Sequence, residues 1–350
     1  MTTAPIIWPT TPLQRGLLSI PAPYVGQARI ALSAPLAPAT LARAAAAVQT
    51  RYPQLAAGFL VDAEVEPTQF VTAVDPRIRV TSLGAVTAAE AEARVAEIAA
   101  AEAGEGFDLS DPPLLRWHLI DAGCRSVLLL TAHHAVLDAW SMALLLSEFA
   151  RLGSSEPGPA PQTCDYSEHL AQLHRADHSA AAEFWAGELA NLTDMPRPRW
   201  LDREGAAEGS AAESADVTRR NCERTFSLEH TAALAAYARD RGTTPAALLR
   251  GCVSLAVDWL SGATGTPIVI PVHGRGSGLA GVENTPGLFT DSVLAAHRAA
   301  PGPLADVLSS HEAAWNAGLP YHHIGLSGIL RALDGQQSAA LRVAGSRAAC

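Results

Sequence analysis

Between residues 114 and 152 the hydrophobic pattern changes period. Residues 114–120 and 127–131 are nearly continuous apolar runs, short enough to read as buried strands, joined through Ala122-Gly123. Residues 142–152 then carry apolar side chains at helical spacing, fading at Leu152-Gly153. The polar residues His133, His134 and Asp138 fall at the changeover, so a strand ends on two imidazoles and a helix begins at an aspartate. Adjacent side chains in an extended segment face opposite ways, so one imidazole can meet a cavity while the other packs.

The same reasoning lays out the rest of the chain. Residues 11–18 predict a short helix, 24–32 a strand, and 38–50 a helix with Leu41, Ala45 and Val48 on one face. Short strands are expected at 58–61 and 69–71. Thr87 followed three residues later by Glu90 is a capping-box pair opening an Ala/Glu-rich helix to about 103. Residues 151–163, rich in Gly, Ser and Pro, read as a connector, followed by helices at 166–174 and 180–189. Residues 191–220 have no period and read as a loop. A strand at 223–226 and helices at 228–239 and 245–260 come next, Thr244 capping the latter with Pro245 at its first position. Strands at 267–272 and 288–295 flank a glycine-rich loop, and helices at 304–315 and 324–333 close the chain. Helices and strands mix throughout, which predicts a mixed α/β (α+β) protein.

The chain has 350 residues, room for one large domain or two ordinary ones. At 48% hydrophobic it can bury a substantial core. With 25 Lys+Arg against 35 Asp+Glu the net charge is −10, which argues against nucleic acid as a partner. Residues 1–12 carry neither the basic start nor the apolar core of a signal peptide. No apolar run approaches the roughly 20 residues of a spanning helix, so no membrane is expected. Five scattered cysteines without a CxxC pair (Cys124, Cys164, Cys222, Cys252 and Cys350) predict reduced thiols in a cytoplasmic protein.

The chemistry concentrates in His133-His134-Ala135-Val136-Leu137-Asp138-Ala139-Trp140-Ser141, because imidazole is the side chain whose ordinary pKa lies nearest neutrality. Against it stands the reading of a core histidine pair and a helix cap. Other patterns read blandly. Gly274 to Gly281 contains GxGxxG but lacks the following helix a dinucleotide site needs. His322-His323 lacks further spaced ligands and reads as a surface helix start, so no metal is expected. Cys252 falls with Leu248, Leu255 and Trp259 on an apolar helix face and reads as inert core. Arg197, Arg199 and Arg203 read as a solvated loop, with contact to an acidic partner as the alternative.

The nine-residue string resembles the signature of condensation domains of nonribosomal peptide synthetases, part of a wider HxxxD acyltransferase superfamily. Further segments match in order: Pro12 to Leu17, Arg51 to Leu55, Phe107 to Ser110 with Pro113 to Arg116, Asp165-Tyr166, Gly265 to Pro267, Gly274-Arg275, Pro286 to Phe289 and Leu319 to Tyr321. The resemblance implies two chloramphenicol acetyltransferase-like lobes, at 1–163 and 164–350, each a mixed sheet flanked by helices, forming a V around a tunnel. It implies a transferase joining a donor thioester to an aminoacyl acceptor as an amide, in secondary-metabolite or antibiotic biosynthesis. Both substrates would arrive on peptidyl or acyl carrier proteins, which bring the phosphopantetheine; no cofactor is expected on this chain. His134 matches the catalytic histidine, His133 supports it, and Asp138 is structural. Arg51 is the implied partner of Asp138, with Arg116 its rival, and Ala139, Trp140 and Ser141 are candidates to line the tunnel.

Four departures from the family pattern stand out. Ala139 replaces a usual glycine, and would cost roughly 1–2 kcal/mol if the position needed positive φ. Ala56 replaces a second arginine, Thr290-Asp291-Ser292 stands where the family ends a segment in Asn-Thr, and the second lobe is expected to be shortened. Two other functions fit the string: a stand-alone acyltransferase using acyl-CoA or lipid substrates, and a non-catalytic module that docks carrier proteins.

Overall fold

A computed structural model describes residues 4–20, 23–62, 64–123, 125–154, 158–190, 223–262, 265–297 and 301–333. The expected loop at 191–220 with its three arginines, and the thiols of Cys124, Cys222 and Cys350, lie outside the described residues. The chain forms two compact units. The first comprises residues 1–177, 271–292 and 323–327; the second comprises 178–270, 293–322 and 328–350.

In the first unit the elements are β1 (Ile6–Pro9), α1 (Pro12–Leu18), β2 (Val25–Leu32), α2 (Pro38–Arg51), β3 (Ala57–Leu60), β4 (Thr68–Val71), β5 (Arg77–Ser82), α3 (Ala88–Glu105), β6 (Leu115–Asp121), β7 (Ser126–His133), α4 (Ala139–Gly153) and α5 (Tyr166–Arg175). Four strands make a mixed sheet in the order β2-β7-β6-β5, with only β5 and β6 parallel; three more make a sheet in the order β1-β4-β3. The central strand β7 is buried along its whole length. Alternation sorts its side chains: Leu128, Leu130 and Ala132 enter the main core with Leu41, Val48, Trp117 and Leu145, while Val127 and Leu129 pack with Val95 and Ile120 on the opposite face. Being buried on both faces, the strand shows a continuous rather than alternating apolar run.

On that opposite face lies a buried polar network. Glu102 of α3 accepts hydrogen bonds from Thr131 and from the His118 ring, whose second nitrogen meets Thr81 at 2.9 Å. Arg79 and Arg116 supply the countercharge at 3.4 and 3.9 Å from Glu102, and each also pairs with Glu105. Burying a carboxylate is costly unless it is paired and hydrogen-bonded, and this one is both.

The second unit is built on α6 (His178–Leu189), α7 (Leu228–Asp240), α8 (Pro245–Ser261) and α9 (Leu304–Gly318), with Ala238, Leu248 and Leu308 as its buried cluster. Thr244 caps α8 by accepting from the Ala247 amide, with Pro245 in the first turn. The buried face of α8 runs through Leu248, Gly251 and Ser254; a Cβ on Gly251 would meet Leu308 at 2.7 Å. Cys252 is therefore exposed, as is Trp259, and the expected core cysteine is corrected. The strands β8 (Ile268–Val272) and β9 (Asp291–Ala295) pair with one another, and α10 (Gly325–Ala332) ends the described chain.

Other corrections are local. Residues 223–227 form no strand, and the strand expected at 288–295 begins only at Asp291. His322 does not open a surface helix: it lies in a 3-10 segment (Leu319–Ile324), its ring stacked on Trp185 at 6.2 Å and edge-on to Trp315 at 4.8 Å. Among the described residues no helix is long and apolar enough to cross a membrane.

Candidate active site

At the end of β7 the chain turns sharply. The His133 amide donates to the Leu114 carbonyl, the His134 amide to the Tyr24 carbonyl, and the Val136 amide back to the His133 carbonyl. The His133 ring is buried, and its Nδ1 accepts the Ala135 N–H at 3.1 Å. Burial first, and then the neighbouring His134, press its pKa down to about 4. It is a neutral structural acceptor at neutral pH.

The His134 ring is only partly buried and leans on the Tyr24 ring, centroids 4.8 Å apart. Burial lowers its pKa, and a hydrogen bond to the Leu137 backbone opposes that shift. A bond that favours the protonated ring is one in which the ring donates. With one nitrogen so engaged, the other carries a lone pair in the neutral ring. The turn thus presents an uncharged, oriented imidazole able to accept a proton.

A residue outside the histidine string holds the turn from behind. Gln14, only 1% exposed, donates from Nε2 to the Ala135 carbonyl (2.8 Å) and to Gln69 Oε1 (2.9 Å). Its Oε1 meanwhile accepts the Thr11 amide in the capping box of α1. The Thr11 and Gln14 pair is legible in the sequence as a helix start, but not as a tie to Ala135.

Asp138 is the N-cap of α4 and accepts the Ser141 amide at 2.7 Å. Its other oxygen accepts the amides of Phe289 (3.0 Å) and Thr290 (3.2 Å). Those two amides are spent on a carboxylate rather than on a ladder, which is why β9 starts late. Arg275 Nη2 approaches Asp138 at 3.6 Å and donates to Ser141 Oγ at 2.7 Å. The same guanidinium binds the carbonyls of Val282 and Thr285 and sits over the Phe289 ring at 4.2 Å. Ser141 Oγ in turn joins both the amide and the carbonyl of Gly287. Gly274 makes this close approach possible: its φ is +62°, and a Cβ there would overlap the Phe289 carbonyl.

The two arginines expected at Asp138 lie elsewhere. Arg51 pairs with Glu148 of α4 at 3.2 Å and donates to the Pro161 carbonyl. Arg116 faces Glu105 and Glu102 on the far side of the sheet. Both find acidic partners nearer than Asp138, and Arg275 fills the place. Ala139 is exposed and opens α4; among the described residues only glycines have positive φ, so its methyl carries no backbone strain. Trp140 is 50% exposed and donates to the Glu283 carbonyl. Ser141 is fully buried, so it lines no open passage and serves as a tether instead.

The family model for the condensation domain matches residues 9–343. This chain belongs to the condensation domain family. The domain is 27% identical over 301 residues to a linear gramicidin synthase polypeptide of Brevibacillus parabrevis, covering 82% of this chain and 4% of that protein. It is also 27% identical over 343 residues to vanchrobactin synthetase VabF of Vibrio anguillarum, covering 94% and 12%. The condensation domain thus spans a small fraction of the length of these curated relatives. Among solved structures it resembles the X-domain from teicoplanin biosynthesis, with a TM-score of 0.75 and 19% identity over 97% of this chain and 76% of that one. It also resembles the first condensation domain of the calcium-dependent antibiotic synthetase, with a TM-score of 0.68 and 20% identity over 91% and 76%.

Buried imidazoles tie the condensation domain's stability to pH. His169 is held at about 4, as His133 is, by burial and then by Arg275. Both pKa values lie below the unfolded value near 6.5, so the stability they contribute is complete above about pH 6.5 and is lost as pH falls to 4. Each shift is worth on the order of 3 kcal/mol. Asp291 acts the other way: burial raises its carboxyl to about 7, so its contribution is complete below about 3.8 and lost as pH rises through 7. In Asp291→Asn protein, urea unfolding should show a clear fall in stability from pH 6.5 to 4. A level profile there would mean that the two rings titrate normally.

Proposed function

We propose that this condensation domain forms an amide between a carrier-bound acyl or peptidyl thioester and the amine of a carrier-bound aminoacyl group, in nonribosomal peptide biosynthesis. The observation that carries the reading is the neutral, partly exposed imidazole of His134, flanked by the Tyr24 ring, hydrogen-bonded to the Leu137 backbone and carried on a turn held by the Tyr24 carbonyl and by Gln14.

The amine nitrogen attacks the thioester carbonyl, forming the C–N bond. His134 accepts or orients the proton that the nitrogen must shed. Collapse of the tetrahedral adduct breaks the C–S bond, and the proton passes to the departing thiolate of the donor's phosphopantetheine. The arm is part of the substrate, so the residues of this chain need only bind, orient and move one proton. Asp138 and Arg275 do not touch the reacting atoms in this scheme; they fix the loop that carries them. Carrier-bound intermediates make the cytoplasm the compartment of this reaction.

The test supplies a donor thioester on one carrier protein and an aminoacyl thioester on a second, and reads intact mass on the acceptor carrier. The expected result is transfer of the acyl mass to the acceptor. Transfer from acyl-CoA to a free amine or alcohol, with none between carriers, would favour a stand-alone acyltransferase. Carrier binding without any product would favour a docking module.

A further inference from the structure

Strand β2 carries a glycine in its second position, Gly26, opposite Ala132 of β7. Glycine inside a strand costs backbone entropy and packs nothing, so it marks a position with another demand. The backbone does not make that demand, since Gly26 is absent from the positive-φ glycines. The demand comes from a ring. A Cβ built on Gly26 would stand 3.0 Å from His134 Cε1, 3.3 Å from Nε2 and 3.7 Å from Nδ1, the first two distances tighter than nine in ten Cβ contacts in proteins. Gly26 shares a face with its partner Ala132, and the turn that follows His133 brings the His134 ring onto that face. Tyr24, two residues before Gly26, supplies the flanking ring and the carbonyl that holds the His134 amide.

We infer that Gly26 is a positioning residue for His134: its missing side chain is the seat of the imidazole and sets how deeply the ring lies. This deepens the acyl-transfer reading and rests on it for its kinetic consequences. A methyl group at 26 lifts the ring by a few tenths of an ångström toward solvent. Misplacement of a reacting group by about 1 Å can cost about 10²-fold in rate, so this smaller displacement should cost about tenfold.

The experiment has a kinetic arm and a structural arm. Gly26→Ala should lower kcat about tenfold with KM for both carrier substrates unchanged, and shift the acid limb of the pH profile toward that of an ordinary imidazole. Gly104→Ala, on an exposed helical position with open space around it, is the control and should leave kcat alone. The structural arm needs no turnover. Histidine-selective NMR should show the His134 ring signals displaced in Gly26→Ala and those of His118 in place. Thermal unfolding should show the alanine raising Tm more in a His134→Ala background than in wild type, because the ring it opposes is gone. If Gly26→Ala leaves the His134 signals in place, or changes Tm equally in both backgrounds, the seat assignment is wrong even if acyl transfer is real. If the signals move and the Tm values couple but no protein transfers an acyl group, the seat stands and the acyl-transfer reading fails.

Discussion

His134→Ala is expected to lower kcat for amide formation between carrier proteins by about 10²–10⁴-fold, the range general-base assistance supplies. The fold should survive. The ring is only partly buried, its contacts are the Tyr24 face, the bare backbone of Gly26 and one hydrogen bond to the Leu137 backbone, and the main-chain hydrogen bonds that build the turn are kept by alanine. Thermal unfolding and single-turnover amide formation measured on the same preparation separate the two effects. His133→Ala is the informative contrast. That ring is buried and accepts the Ala135 amide, so its loss should show in stability before it shows in chemistry. If His134→Ala turns over at the wild-type rate, the proton passes elsewhere and the proposed mechanism fails.

Asp138→Ala should destabilise the protein by about 3–5 kcal/mol, because it leaves the buried guanidinium of Arg275 without its countercharge. Loss of the helix cap adds about 1 kcal/mol. Arg275 already carries the mark of burial, its pKa lowered mainly by desolvation and held up by Asp138. Three amides also lose their acceptor, those of Ser141, Phe289 and Thr290. A double-mutant cycle discriminates between the two arginines. Asp138 should couple strongly to Arg275 and weakly to Arg51, whose guanidinium is engaged with Glu148. Coupling of Asp138 to Arg51 alone, with Arg275 freely replaceable, would contradict the Asp138–Arg275 ion pair.

What the residues disclose before folding is local. The histidine string announces its strand, turn and helix because the hydrophobic period changes within a few residues. Thr87 with Glu90, and Thr244 with Pro245, mark their helix starts because each cap is closed within one turn. Arg275 is visible as part of a Gly-Arg pair, yet nothing in the chain points it at Ser141, 134 positions away. Gln14 is equally visible and equally mute, since its carbonyl acceptor lies 121 positions on. Two strands escape for another reason. β1, Ile6–Pro9, is short and mostly exposed with proline at its end, and β5, Arg77–Ser82, alternates arginine with apolar residues on an edge. The first is apolar but only four residues long and ends in proline, and the second holds just two apolar residues among six, so neither is revealed without its partners. The strand predicted at 223–226 fails in the opposite sense: Glu223, Arg224, Thr225 and Phe226 offer no alternating apolar face and pair with no strand among the described residues.

The carboxylate of Asp138 also sets an order of events during synthesis. When the ribosome has released residues 1–177, the sheet bearing His134 has all its strands, but the Phe289 and Thr290 amides and Arg275 have yet to be made. Until they arrive, Asp138 lacks the two amides and the guanidinium that enclose it, and a nascent chain is expected to leave the turn open on that side. The turn closes only once residues 178–270, all assigned to the other unit, have been translated.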